Sequence, residues 1–236
     1  MNCCYITYLC NDNYLPGIVA LVKSLKYHKT KNQILVMVTK DVSSECTKNI
    51  SNLGVIVKKI NEIHYQGKRK DLIRDRFGRE NNSWMMFTKF NIWKETQYDK
   101  ILYIDADTVV LQNIDSLFET NRMYAFAAVR GGSTSHNYKG IEAGVLLIKP
   151  SMNTYKNLIK AMNGDKYDLS MSDQTLLNDY FNKHDKIHYL SSKYNRLQKN
   201  QKKTIEGAYI YHWNGKKPWN KTTVQNFNIW NFYYEL

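Results

Sequence analysis

Short apolar runs and spaced apolar stripes alternate along the first sixty positions. Cys3 to Leu9 is an apolar run that stops at the polar turn Asn11-Asp12-Asn13. Pro16 then stands in the first turn of a helix whose buried face is Ile18, Leu21, Val22 and Leu25, a helical spacing. Ile34–Val38 reads as a second strand, Ser43–Leu53 as a second helix and Val55–Ile60 as a third strand. Strand and helix in turn imply right-handed crossovers and a parallel sheet, hence an α/β fold. His64–Asn82 has no period and many charges, and reads as a loop or irregular helix. Helical spacing resumes over Trp84–Lys94. Lys100–Ile104 predicts a buried strand that ends abruptly at Asp105. Further strands are expected at Tyr124–Val129, Gly144–Ile148 and Ala208–Tyr211, with helices at Met152–Met162 and Ser172–Phe181. With no repeat and no linker, one domain over residues 1–236 is expected.

Composition adds bounds. A chain of 236 residues with 43% hydrophobic and 23% charged residues can bury a sizeable core and is not a disordered one. The first ten residues do not read as a signal peptide, and no apolar run approaches the ~20 residues that cross a bilayer. A soluble, cytoplasmic protein is expected. Cys3, Cys4, Cys10 and Cys46 form no CxxC pair and read as small buried hydrophobes in a reducing compartment. The formal charge of +13 can attract nucleic acid, anionic membrane or phosphorylated ligands. The basic residues are scattered, though, and joint enrichment in Lys, Asn, Ile and Tyr is what AT-rich coding produces. A basic nucleic-acid-binding module has only charge and aromatics behind it, with no recognition-helix, zinc-finger or RNP-like motif.

The chemistry concentrates where the fourth strand ends. In Ile101-Leu102-Tyr103-Ile104-Asp105-Ala106-Asp107 an apolar strand runs into two acids. Residues i and i+2 of extended chain point the same way, so both carboxylates can face one ion. The carboxyl end of a parallel strand is also where open α/β sheets bind ligands. Two carboxylates held close there need a compensating cation, and a hard divalent metal supplies it. Near the C-terminus, Tyr211-His212-Trp213-Asn214-Gly215-Lys216-Lys217-Pro218-Trp219 groups an imidazole able to bind metal, a glycine that lets backbone approach a ligand, and a cation for phosphate.

These motifs resemble, in order and over nearly the whole chain, those of the glycogenin-like members of glycosyltransferase family 8. Asn11-Asp12-Asn13-Tyr14 with Gly17 and Ser24-Leu25-Lys26 is similar to the nucleotide-binding opening, and Phe87-Thr88-Lys89-Phe90-Asn91-Ile92-Trp93 to the helix with a donor-binding lysine. Asp105-Ala106-Asp107-Thr108-Val109-Val110-Leu111 resembles the metal motif. Ala143-Gly144-Val145-Leu146-Leu147-Ile148 and Ser172-Asp173-Gln174 resemble the donor-sugar segments, and His212 with Lys217-Pro218-Trp219 the last motif.

The resemblance implies a GT-A fold, a Rossmann-like mostly parallel sheet flanked by helices. It also implies retaining transfer of a hexose from a UDP-sugar, UDP-glucose first, to an unidentified glycan or protein acceptor. Mn²⁺, with Mg²⁺ as a substitute, would be held by Asp105, Asp107 and His212. Tyr8, Cys10, Asn11 and Tyr14 would line the uridine pocket, and Lys89 and Lys217 would face the donor. Ala106, Glu142, Ala143, Gly144 and Gly215 would also touch the donor. Asp173 and Gln174 would approach the sugar, and with Lys217 they form the expected catalytic set. In the basic stretch Lys68–Arg79, Arg74, Arg76 and Arg79 are candidate phosphate contacts, Arg76 first.

The match departs from the family in three places. Glu142 stands where the family has Asn. The stretch from His212 to Lys217 is one residue shorter than the family pattern, and Tyr194-Asn195 resembles a structural turn and not a self-glucosylated tyrosine. A nucleotide-sugar hydrolase, a self-glycosylating protein and an inactive fold kept for partner binding are the alternatives, and a homodimer is left open.

Overall fold

The computed structural model describes residues 1–68, 83–119, 125–133, 138–184, 187–198 and 205–236. Strand β1 (Cys3–Leu9) lies between β2 (Gln33–Val38) and β4 (Lys100–Ile104) and is parallel to both, with β3 (Ile56–Lys59) parallel to β2 outside it. Helices α1 (Leu15–Tyr27) and α2 (Ser44–Asn52) make the crossovers. The near-unbroken apolar runs of β1, β2 and β4 are what strands buried on both faces require. Along β1, Cys4 and Ile6 enter one core while Cys3, Tyr5 and Leu9 enter the other. Pro16 opens α1 as expected, and the Ser43 hydroxyl accepts from Cys46 N at 3.0 Å to start α2.

The second half of the sheet is antiparallel at its centre. β7 (Tyr138–Ile148) pairs antiparallel with β4, β6 (Phe126–Ser133) antiparallel with β7, and β8 (His188–Leu190) parallel with β6. The order is β3-β2-β1-β4-β7-β6-β8. The strand expected at Gly144–Ile148 is thus the inner end of a longer one, whose outer part is broken up by glycine and charge. Tyr124, the expected start of the preceding strand, lies outside the described residues. Ala128 pairs with Leu146 while Val129 pairs with Glu142, so the register slips and Ala143-Gly144-Val145 face no partner on β6. Such bulges free backbone groups beside functional sites.

Trp84–Lys94 is helical but changes type: α3 (Ser83–Phe87) tightens into a 3-10 stretch, Thr88–Lys94. The described part of His64–Asn82, through residue 68, has neither helix nor strand. α4 (Met152–Asn163) and α5 (Asp173–His184) cover the face containing Phe87, Phe90, Trp93, Phe126 and Phe181. A small second sheet joins β5 (Thr108–Val110) antiparallel to β10 (Ile210–His212), with β9 (Arg196–Leu197) parallel to β10. His212 ends this strand; it does not follow it. The last helix, α6 (Phe227–Glu235), has no counterpart in the expected elements. Its aromatic residues are indifferent helix formers, and burial of Trp230 and Tyr233 in a cluster shared with Ala20 of α1 holds it. Among the described residues, no helix is long and apolar enough to cross a membrane.

Candidate active site

Three separate contacts fix the two acids. The Asp105 N–H donates to the Gly144 carbonyl at 2.8 Å, carrying the β4–β7 ladder one residue beyond the strand. Thr108 Oγ1 donates to the Asp105 carbonyl at 2.8 Å and closes the turn into β5. The Trp213 N–H donates to the Asp107 carbonyl at 2.9 Å, so the second acid is bound to the strand that carries His212.

The imidazole arrives from across the small sheet. His212 Nε2 lies 3.0 Å from Asp107 Oδ1 and 4.0 Å from Asp105 Oδ2. Nδ1 lies 3.0 Å from Asn195 Oδ1, and a proton on Nδ1 shared with that oxygen would leave Nε2 to bind an ion held with the acids. A lone pair aimed at a carboxylate repels it, so this geometry needs a cation or a proton in between. One ligand atom each from Asp105, Asp107 and His212 lies within 4.8 Å of the others, and this oxygen-rich set suits a hard divalent ion such as Mn²⁺. A Cβ at Gly144 would come within 2.5 Å of the His212 ring and 3.0 Å of Asp105 Oδ2, so glycine makes the space here.

Two lysines complete the charge pattern. Lys89 Nζ lies 2.7 Å from Asp173 Oδ2 and 3.6 Å from Asp105 Oδ1, and donates to the Ala143 carbonyl at 3.2 Å. Burial works against its ammonium, but Asp105 and Asp173 outweigh burial and raise its pKa. Asp173 is raised by burial, with Lys89 opposing. Ser172, just before it, is left-handed at φ 54°, a strained setting that turns the chain into α5. Lys217 bonds Asp107 Oδ2 and donates to the Trp213 carbonyl at 2.8 Å. Burial disfavours its charge and Asp107 more than restores it. Asp107 is opposed by burial yet held well below the usual carboxylate range by His212 and Lys217. The shortened loop from His212 therefore still delivers Lys217 to the acids.

The other expected residues fall around this centre. Gln174 Oε1 accepts from Ala143 N at 3.3 Å, on the bulge next to Gly144. Tyr14 is 37% exposed, sets its ring edge-on to Trp219 at 5.4 Å and has Lys217 Nζ 6.0 Å from its centroid. Asn11 Oδ1 accepts from Asn13 N at 3.1 Å, shaping the turn before α1. Cys10 is partly buried at the end of β1, its thiol pushed up to about 12 chiefly by burial. Tyr8 packs on Tyr103 and donates to the Met85 carbonyl, adjacent to the cluster. The Ala106 carbonyl touches the spot a Cβ on Gly17 would take, so helix α1 approaches the acids only because residue 17 is glycine. Glu142 is buried beside Gly131, whose missing side chain makes its room. Gly215 is exposed at the rim. Arg74, Arg76 and Arg79 lie outside the described residues.

Two residues enter that sequence reasoning had not assigned to the site. Tyr103 donates to Asp105 Oδ1 at 2.5 Å; its place two residues before Asp105 on one strand was the available signal. Asn195 orients His212, and nothing local in Tyr194-Asn195 announced that.

The chain is 31% identical over 229 residues to glycogenin-2 of Homo sapiens, covering 92% of this chain and 43% of that protein. It is 27% identical over 221 residues to UDP-glucuronate:xylan alpha-glucuronosyltransferase 1 of Arabidopsis thaliana, covering 87% of this chain and 30% of that protein. The chain thus spans less than half the length of either relative. In structure it superimposes on the apo form of the glycosyltransferase GlyE of Streptococcus pneumoniae TIGR4 with a TM-score of 0.74 at 22% identity, over 100% of this chain and 61% of that one. The fold is GT-A. The family model for glycosyl transferase family 8 matches residues 5–223, which hold every assembled residue of the site, and to that family the chain belongs.

Proposed function

We propose that this chain transfers a hexose from a UDP-sugar to an acceptor, with retention at the anomeric carbon and with Mn²⁺ bound by Asp105, Asp107 and His212. The observation that carries the reading is the meeting, at the carboxyl edge of β4, of three metal-competent side chains with Lys89, Lys217 and Asp173. A divalent cation in that triad would neutralise charge on the donor's diphosphate. Lys217, already beside Asp107, is set to meet the negative charge that grows on a phosphate oxygen as the sugar–phosphate bond breaks. Asp173 and Gln174 flank the bulge at Ala143-Gly144, where they support the sugar as it takes on oxocarbenium character. Tyr14, with Cys10 and Asn11, offers the uridine pocket. UDP-glucose is the donor that the likeness to glycogenin favours, while the Arabidopsis relative is named for UDP-glucuronate. Domain extent, acceptor and assembly follow the same reading: one family 8 domain acting on a glycan or protein hydroxyl.

The test is thermal stabilisation by UDP with and without Mn²⁺, followed by a screen of UDP-sugars scored by released UDP. Stabilisation by UDP that needs Mn²⁺ is expected, with release of UDP rising when an acceptor is added. Equal stabilisation by ADP and GDP would remove the uridine pocket from the reading. UDP release indifferent to every acceptor would replace transfer with hydrolysis.

A further inference from the structure

Glu62 lies just beyond β3 with its side chain 6% exposed. One carboxylate oxygen, Oε2, has Lys40 Nζ at 3.4 Å and His64 Nε2 at 3.0 Å. The other, Oε1, is buried and meets no hydrogen-bond donor among the described residues. Its backbone is clamped on both sides: Asn91 Nδ2 donates to the Asn61 carbonyl at 2.9 Å, and Ile63 N donates to Thr88 Oγ1 at 3.0 Å. Thr88 and Asn91 belong to the 3-10 stretch that presents Lys89. At the same edge of the sheet, Ile60 N donates to the Val38 carbonyl, Thr39 N to that of Leu9, and Thr39 Oγ1 to that of Cys10 at 2.9 Å. Cys10, Thr39 and Glu62 therefore rim the carboxyl ends of β1, β2 and β3, and the Cys10 thiol feels the Glu62 charge.

A buried carboxylate oxygen without a donor is costly, and rare enough in folded proteins to call for an explanation. Lys40 and His64 are largely exposed and meet the other oxygen, so neither caps Oε1. The rim is where open α/β sheets take nucleotides. We propose that Glu62 reads the base: its Oε1 accepts the imide N–H of uracil and so selects uracil over cytosine. This rests on the UDP-sugar reading of the neighbouring site. Uracil presents an N–H at ring position 3, whereas cytosine presents a lone pair there, which a carboxylate repels. The hydrogen bond is charge-assisted and would form on a side chain only 6% exposed, the setting in which such bonds discriminate most.

The experiment is titration calorimetry of UDP and of CDP, each with Mn²⁺, into the whole chain and into Glu62→Gln and Lys40→Gln. The starting chain is expected to prefer UDP. Glu62→Gln, nearly isosteric, is expected to shrink the UDP:CDP affinity ratio by about tenfold or more, the size of a lost bond to a charged group. Its ligand-free melting temperature should hold or rise, because an unsatisfied buried charge has gone. Lys40→Gln keeps Oε1 and is expected to leave the ratio within about twofold, as a solvent-exposed partner should. An unchanged ratio in Glu62→Gln overturns the proposal, and a lowered melting temperature with it assigns Glu62 a structural role instead. An equal collapse in Lys40→Gln overturns it too, since a general field and not a contact would then be at work. A starting chain that binds UDP and CDP equally rejects base reading by Glu62 but keeps the metal–diphosphate site; one that binds neither removes both.

Discussion

Lys89 Nζ lies 2.7 Å from Asp173 Oδ2, with the two side chains 5% and 3% exposed, so a buried ion pair joins the 3-10 stretch to the first turn of α5. The same ammonium stands 3.6 Å from Asp105. Lys89→Met would leave two carboxylates facing each other with their shared cation gone. A loss of about 3–5 kcal/mol in chemical denaturation is expected, as for other broken buried pairs. A loss under about 1 kcal/mol would show that water or rearrangement replaces the pair.

Gly144→Ala tests the space beside the triad. The added methyl meets the His212 ring, which must turn away from Asp107. Mn²⁺-dependent stabilisation by UDP should fall by about tenfold or more in affinity, as it should in Asp107→Asn, which removes one of the proposed metal ligands. Far-ultraviolet circular dichroism should stay unchanged in both. Undiminished metal-dependent binding in Asp107→Asn would discard the triad as a metal site.

Lys217 and Asp173 are expected to separate leaving group from sugar. Lys217→Ala should lower turnover and weaken UDP together, because the product carries the same diphosphate. Asp173→Asn should lower turnover by roughly a hundredfold yet leave UDP affinity nearly unchanged, since UDP has no sugar to touch. Steady-state rates beside calorimetry decide it. Comparable loss of UDP in both variants would place Asp173 at the diphosphate.

Asp115 carries a prediction in pH. Its carboxylate accepts from the buried Tyr5 hydroxyl at 2.7 Å, from Lys31 N at 3.0 Å and from Asn32 Nδ2 at 2.9 Å. Burial pushes its pKa up, but these bonds and one from Asn113 outweigh burial and hold it below its ordinary value. The unfolded chain binds that proton near pH ~3.9, so the bonds' contribution is whole above that pH and fades as pH falls through the lower folded value. Asp115→Ala should therefore cost about 1–3 kcal/mol at pH 7 and progressively less below pH ~4. A penalty that does not shrink in acid would mean that packing, and not the charged acceptor, accounts for it.

The half of the fold written in simple periods was legible: β1 to β3, their crossover helices and β4 all follow from apolar spacing. The strand end at Asp105 was legible because the apolar run stops there, and its chemistry only because His212 to Trp219 adds an imidazole and a cation to the two acids. The β6–β7 hairpin was half hidden, since Gly140 and Glu142 interrupt the alternation that would mark a strand. Helix α6 was hidden because Trp230 and Tyr233 are placed by packing on α1 and not by propensity. Charge partners such as Lys89 with Asp173, and Asn195 with His212, depend on contacts between distant segments, and no local pattern carries them.

The small sheet has a kinetic consequence. β5 directly follows the acids, while β10 brings the imidazole from near the chain's end. During synthesis the carboxylates would emerge long before His212, so a metal site built on all three would have to wait for a long-range strand pairing, a slow kind of contact to form. Under the proposed function, metal uptake would then report that β10 has docked, and an ion held beside β5 and β10 would slow their parting.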